Sequence, residues 1–238
     1  MQHRHTRRAL LLTALAGTGC LGRSRPGIEV RTDLRGRPFQ YHSRCCDWEG
    51  TTVKGFLPAV FDALGAAISR EVMIGADGEQ TGLLCAMTPA RPDDITLLNG
   101  FYTVVLPMEA QPATVLVPEP LDTAGLRAAL ATVTDAVPRQ VEIPVDPPRG
   151  DAAVVTDWVT AYRWARRDRG RLVDAAGGPI GAFTPSIIAV GQAAVTLQVA
   201  DPSVETTIRT GLRQLRQGGR LGAIRAEYFY ASGRPRRL

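Results

Sequence analysis

Apolar positions along this chain recur in two rhythms, and their alternation predicts its elements. Residues 27–32 read as a short strand. Over 56–69, Phe56, Val60, Leu64, Ala67 and Ile68 fall at helical spacing, and 70–74 read as the next strand. Strand, helix, strand is the opening of a parallel α/β sheet. A turn is expected over 76–80 and a third strand over 83–87, while the valine-rich runs 101–106 and 113–117 read as buried strands. Residues 126–134 suit a helix capped by Asp122 or Thr123. Residues 141–145 are strand-like, with Pro144 confining them to a sheet edge. A loop is expected at 147–150, strands at 152–155 and 186–190, and a helix over 159–167. Near the end Asp201 caps a helix with Pro202 at its first position and Val204, Ile208, Leu212 and Leu215 on one face. Gly218 and Gly219 stop it, and a second helix follows over 221–230. Two α/β segments joined by strands, with a helical finish, predict an α/β fold of two lobes around a cleft.

Composition narrows the class. A chain of 238 residues makes one large domain or two small lobes, and 45% apolar residues is too many for a disordered chain. The net charge is +5, but Arg4, Arg7 and Arg8 sit in an N-terminal leader without acidic residues, and setting them aside leaves +2. No later segment alternates basic and aromatic residues, so nucleic acid is not an expected partner. Lys54 is the only lysine, a chain-wide bias that no single site explains.

The leader carries the first functional signal. A basic start is followed by a mostly apolar run over 9–16, the pattern of a secretory signal and too short for a permanent membrane helix. Thr6-Arg7-Arg8-Ala9-Leu10-Leu11 resembles a twin-arginine export motif. Leu15-Ala16-Gly17-Thr18-Gly19-Cys20 resembles a bacterial lipobox, which implies lipidation of Cys20; ordinary cleavage nearby is the alternative. Residues 22–27 then read as a tether. The expected location is therefore outside the cytoplasm, periplasmic or at the cell surface, anchored through Cys20.

Three cysteines remain. Export permits a disulfide, with Cys45 or Cys46 pairing Cys85; three unpaired thiols are the competing reading. No CxxC occurs, and His42 is the only histidine after the leader, so neither a metal nor a cofactor is expected.

Three stretches together resemble the solute-binding protein family 3 of amino-acid ABC importers. The first is Arg37-Pro38-Phe39-Gln40-Tyr41, a loop, then Gly55-Phe56 opening a helix. The second is Thr88-Pro89-Ala90-Arg91 leading into Phe101-Tyr102-Thr103. The third is the closing pair of helices over 211–229. The resemblance implies the type 2 periplasmic-binding-protein fold, two small sheets flanked by helices. It implies lobe 1 from 28–105 and 185–238, lobe 2 from 106–184, and a leader with tether over 1–27. It implies a small-molecule solute, an amino acid or related carboxylate, and an ABC permease in the membrane as partners of a monomer.

Two site residues carry over from the family. A zwitterion needs a cation for its carboxylate and an anion for its ammonium. Arg91 matches the carboxylate-binding arginine, whose planar fork holds both oxygens. Asp157 matches the ammonium-binding aspartate, with a helix cap as the competing use of that residue. Thr88 remains as a polar neighbour, and Tyr41 and Trp48, with Phe101 and Trp158, offer aromatic surface, core packing being the favoured use of Phe101. The chain departs from the family at Leu84 and Ala86, which stand where hydroxyl residues are usual. It also has a turn in place of the helix between 74 and 83, and a trimmed segment over 138–151. These departures imply a less polar cleft. No catalytic residue is expected. An accessory or sensor protein of the same fold is the first alternative, and a dehydratase-like enzyme using His42, Asp47 or Glu49 is the second.

Overall fold

A computed structural model describes residues 27–44, 51–75, 83–109, 111–119, 121–142, 146–167, 170–172, 188–230 and 234–236. The leader, Cys20, Cys45, Cys46, Asp47, Trp48, Glu49 and the turn expected at 76–80 lie outside these residues. The elements are β1 (Ile28–Thr32), β2 (Tyr41–Arg44), β3 (Thr51–Lys54), α1 (Phe56–Ile68), β4 (Val72–Ile74), β5 (Leu83–Pro89), β6 (Ile95–Leu106) and β7 (Thr114–Pro118). There follow α2 (Thr123–Ala131), β8 (Val137–Val141), β9 (Ala152–Asp157), α3 (Trp158–Ala165), β10 (Arg171–Leu172), β11 (Gly191–Val199), α4 (Pro202–Gln217) and α5 (Arg220–Tyr228).

The strands pair in the order β4-β1-β5-β11-β6-β9-β7-β8, with β10 also on β6. The two outer triplets, β4-β1-β5 and β9-β7-β8, are parallel. Every pairing made by β11 and β6 is antiparallel. β6 is shared: residues 95–102 pair with β11, while 102–105 pair with β9 and 105–106 with β10. A first strand set thus ends on the front half of β6 and a second begins on its back half. The sheet is continuous through that strand rather than two separate sheets. The hairpin β2–β3 stands apart.

Local chemistry sets the helices. Gly55 precedes α1 at φ 137°, and a Cβ there would fall 2.2 Å from the Phe39 carbonyl oxygen, so only glycine fits. The close approach lets the Pro38 and Phe39 carbonyls accept from the Phe56 and Leu57 N–H groups (2.9 and 3.0 Å). That ties loop 36–40 to the start of α1. Asp122 caps α2 through the N–H groups of Ala124 and Gly125, and Asp201 caps α4 with Pro202 at its first turn. α4 crosses α1 at Gly211, where a Cβ would lie 2.5 Å from Ile68 and 2.7 Å from Leu64. Arg209, Arg216 and Arg225 donate to the carbonyls of Asp93, Thr96 and Leu97 and pin the entry to β6.

Several expectations shift. β11 covers 191–199, whereas the strand was expected at 186–190; residues 188–190 are not strand, and 186–187 lie outside the described residues. β8 runs over 137–141 rather than 141–145, and it takes Pro138 because it is the edge strand. The loop expected after Tyr41 forms β2 and β3. Cys85 is a buried free thiol in β5, so the disulfide reading fails for it. Among the described residues no helix is long and apolar enough to cross a membrane.

Candidate functional site between the strand sets

The end of β5 that leads to Arg91 and the end of β9 at Asp157 can be followed across the sheet. Pro89 of β5 lies opposite Ala193 of β11, which lies opposite Gly100 of β6. Two residues on, Gly191 lies opposite Tyr102, and Tyr102 opposite Asp157 of β9. The Ala90 N–H donates to the Gln192 carbonyl (3.3 Å), which carries the ladder on toward Arg91 at the level of Gly191. β5 and β9 are separated in the sheet by β11 and β6. Arg91 is exposed in the turn after β5, and its carbonyl accepts from the Asp94 N–H (3.3 Å).

Asp157 ends β9 and begins α3. Its Oδ1 accepts from the N–H groups of Val159 and Thr160, both at 2.9 Å, so the carboxylate does cap the helix. Burial pushes its carboxyl above the ordinary value, and the hydrogen bonds from Thr160 and Val159 and the charge of Arg163 only partly offset this. Across the ladder the Tyr102 hydroxyl is pushed up too, first by burial and then by the charge of Asp157.

The remaining site residues scatter. The Thr88 hydroxyl sits 3.2 Å from that of Thr196, a buried residue, and is engaged there. Tyr41 lies on β2 with the Arg37 guanidinium 4.7 Å from its ring centre. It lines a groove of about 1300 Å³ along α1 and β4, and a smaller cavity of about 410 Å³ beside Pro38 and Lys54. Arg91, Thr88 and Asp157 line neither. Trp48 lies outside the described residues.

Trp158 corrects one expectation. It was a candidate for exposed aromatic surface, yet it is 0% exposed. Its ring lies 6.0 Å from Phe101 and 6.5 Å from Phe229, which in turn packs against Phe39 (6.1 Å) and Phe56 (5.5 Å). A Cβ on Gly100 would fall 2.0 Å from a ring carbon of Trp158. Trp158 is therefore wedged from the second strand set onto the front half of β6 and the aromatic core of the first.

Two further residues of α3 make the same crossing. Arg163 Nη2 donates to the Arg37 carbonyl (2.9 Å), and Arg234 lies 5.4 Å from the ring centre of Tyr162. Sequence reasoning did not single out Gly100 or Arg163, and it named Tyr102 only as part of a motif. A glycine inside a strand signals the close approach of another group, and Gly100 carried that signal. Arg163 carried none, because only the fold brings α3 to loop 36–40.

No protein-family model matches this chain, and no curated protein matches it in sequence. Solved structures do. A crystal structure of an ancestral amino-acid-binding protein, a precursor of cyclohexadienyl dehydratase, matches at 16% identity over 87% of this chain and 97% of its own, with a TM-score of 0.53. A periplasmic binding protein of an arginine transport system from Legionella pneumophila matches at 13% identity over 86% of this chain and 100% of its own, with a TM-score of 0.52. The arginine-, lysine- and histidine-binding protein ArtJ from Geobacillus stearothermophilus matches at 13% identity over 85% and 95%, with a TM-score of 0.50. At these identities the likeness is one of fold. The chain shares the α/β fold of these periplasmic binding proteins.

Proposed function

We propose that this protein is an extracytoplasmic solute-binding protein that captures a small carboxylate and presents it to an ABC permease. What supports the reading most is that Arg91 follows the carboxyl end of β5 and Asp157 ends β9, one on each strand set. Ligands of open α/β sheets bind beyond the carboxyl ends of strands, where both residues stand. A solute held from both sides favours the closed lobes, and closure is what a permease reads; no bond has to be made or broken. The leader and Cys20 support export and an anchor on the outer face of a membrane. A dehydratase reading would draw on His42, which is exposed on β2, and on Asp47 and Glu49. An accessory protein without a small solute is favoured by the wedged Trp158 and the engaged Thr88 hydroxyl.

The test is thermal denaturation with and without candidate solutes. A ligand at a hundredfold excess over its Kd stabilises the folded state by about 2.7 kcal/mol. A shift that disappears in Arg91→Ala, with the fold retained, supports the reading. A carboxylate that binds the variant as tightly as the wild type removes Arg91 from the site. A panel of carboxylates and amino acids that shifts nothing moves the conclusion to the accessory protein.

A further inference from the structure

We infer that α3 and the C-terminal residues form a clasp that holds the two strand sets in one arrangement with no solute bound. The inference goes beyond the solute-binding reading and stands without it.

The sheet passes from one set to the other through β6, whose front half pairs with β11 and whose back half pairs with β9. A joint of that kind takes up motion in a few backbone dihedrals, so the side chains packed across it govern whether the angle changes. Trp158, Tyr162 and Arg163 stand at i, i+4 and i+5 on α3, which puts them on one helical face. Each reaches the first set at a different place. The Trp158 ring packs against Phe101 (6.0 Å) and Phe229 (6.5 Å). The Arg234 guanidinium lies over the Tyr162 ring at 5.4 Å, and Arg163 Nη2 donates to the Arg37 carbonyl (2.9 Å). Burial pushes the Tyr162 hydroxyl up, and the charge and hydrogen bond of Arg234 offset part of that rise.

The C-terminal residues are held to the first set in turn. The Tyr230 N–H donates to the Arg234 carbonyl (2.8 Å) and the Arg236 N–H to the Tyr228 carbonyl (2.9 Å), so 234–236 return along the end of α5 with Pro235 buried opposite Phe229. Phe229 packs against Phe39 (6.1 Å) and Phe56 (5.5 Å) as well as Trp158. Phe39 belongs to loop 36–40, whose Arg37 carbonyl takes Arg163. Arg234, Phe229 and loop 36–40 are therefore one support, and α3 must leave it before the angle between the sets can change.

Distances between spin labels test the clasp. Labels on Arg127→Cys of α2 and Arg213→Cys of α4, both exposed and one on each set, read the angle, with Cys20, Cys45 and Cys46 changed to serine and Cys85 buried. Without solute the full chain should give one narrow distance. A chain ending at Tyr230 loses Arg234 and should gain a second component, and Arg234→Gln should gain a smaller one. A control pair within the first set, Asp62→Cys and Arg213→Cys, should keep its distance throughout. A broad or two-component distribution in the full chain overturns the inference. So does an unchanged distance in the folded truncation, or a second component in the control pair, which marks general loosening of the first set. Should the truncation fail to fold by circular dichroism, Arg234→Gln and Tyr162→Leu decide on the same terms.

Discussion

The contact between Trp158 and Gly100 can be tested by a double-mutant cycle whose sign is fixed in advance. Trp158 is fully buried, and truncating such a side chain to alanine costs about 3–5 kcal/mol. In Gly100→Ala the new Cβ falls 2.0, 2.2 and 2.4 Å from three carbons of the same indole ring. These atoms belong to a rigid ring held between Phe101 and Phe229, so the ring as a whole must move. Overpacking of that kind costs about 1–3 kcal/mol, which outweighs the roughly 0.4–1 kcal/mol that glycine-to-alanine gains through the unfolded chain. In the double variant the ring is gone and the clash with it. The two losses should then fall short of their sum by at least about 1 kcal/mol. Urea unfolding followed by circular dichroism measures all four corners, provided the dependence on denaturant is the same in each. Additivity within about 0.5 kcal/mol would refute the wedge, as would a Gly100→Ala variant more stable than the wild type.

Two further outcomes follow from the shifted groups. Asp157 has a folded-state pKa above its ordinary value of 3.8, so its contribution to stability is fully present below that value and is lost as pH rises through the raised one. Asp157→Asn keeps a cap and removes the titration, so its stability relative to the wild type should rise from pH 3.5 to pH 7; a flat difference contradicts the assigned shift. Cys85 is buried, and burial first, then the charge of Asp33, pushes its thiol up. With Cys20, Cys45 and Cys46 changed to serine, a thiol reagent at pH 8 should modify Cys85 only as fast as the protein unfolds. Rapid labelling of the native state would count against its burial.

The sequence made much of this fold legible where one rhythm persisted. The helices at 56–68 and 202–217 have apolar faces and clear ends, and both appear within a residue or two of their expected bounds. For Asp157 the sequence offered a helix cap as the competing use, and the structure shows that cap. β11 was missed because Gln192, Thr196 and Gln198 interrupt its apolar run, although pairing with β5 on one side and β6 on the other makes it an interior strand of the first set. β2 and β3 were missed because Tyr41–Arg44 and Thr51–Lys54 are short and polar, and only their mutual pairing makes them strands. Arg91 and Asp157 were singled out by motif spacing, whereas the Arg163 bond to Arg37 spans 126 residues and leaves no local trace.

The place of β11 also dictates an order of assembly. It lies between β5 and β6, which are neighbours in sequence but not in the sheet. Until it arrives, both strands present open edges, and unpaired edges invite association with other chains. Roughly 100 residues separate β5 from β11, and closing a loop of that length costs about 4 kcal/mol before any contact repays it. The second strand set has no such dependence, since β6, β7, β8, β9 and β10 come from one uninterrupted run, 95–172. That half can form early and offer β6 as a template, so the half bearing Arg91 is the last to become native and the first to be lost when the end of the chain is disturbed.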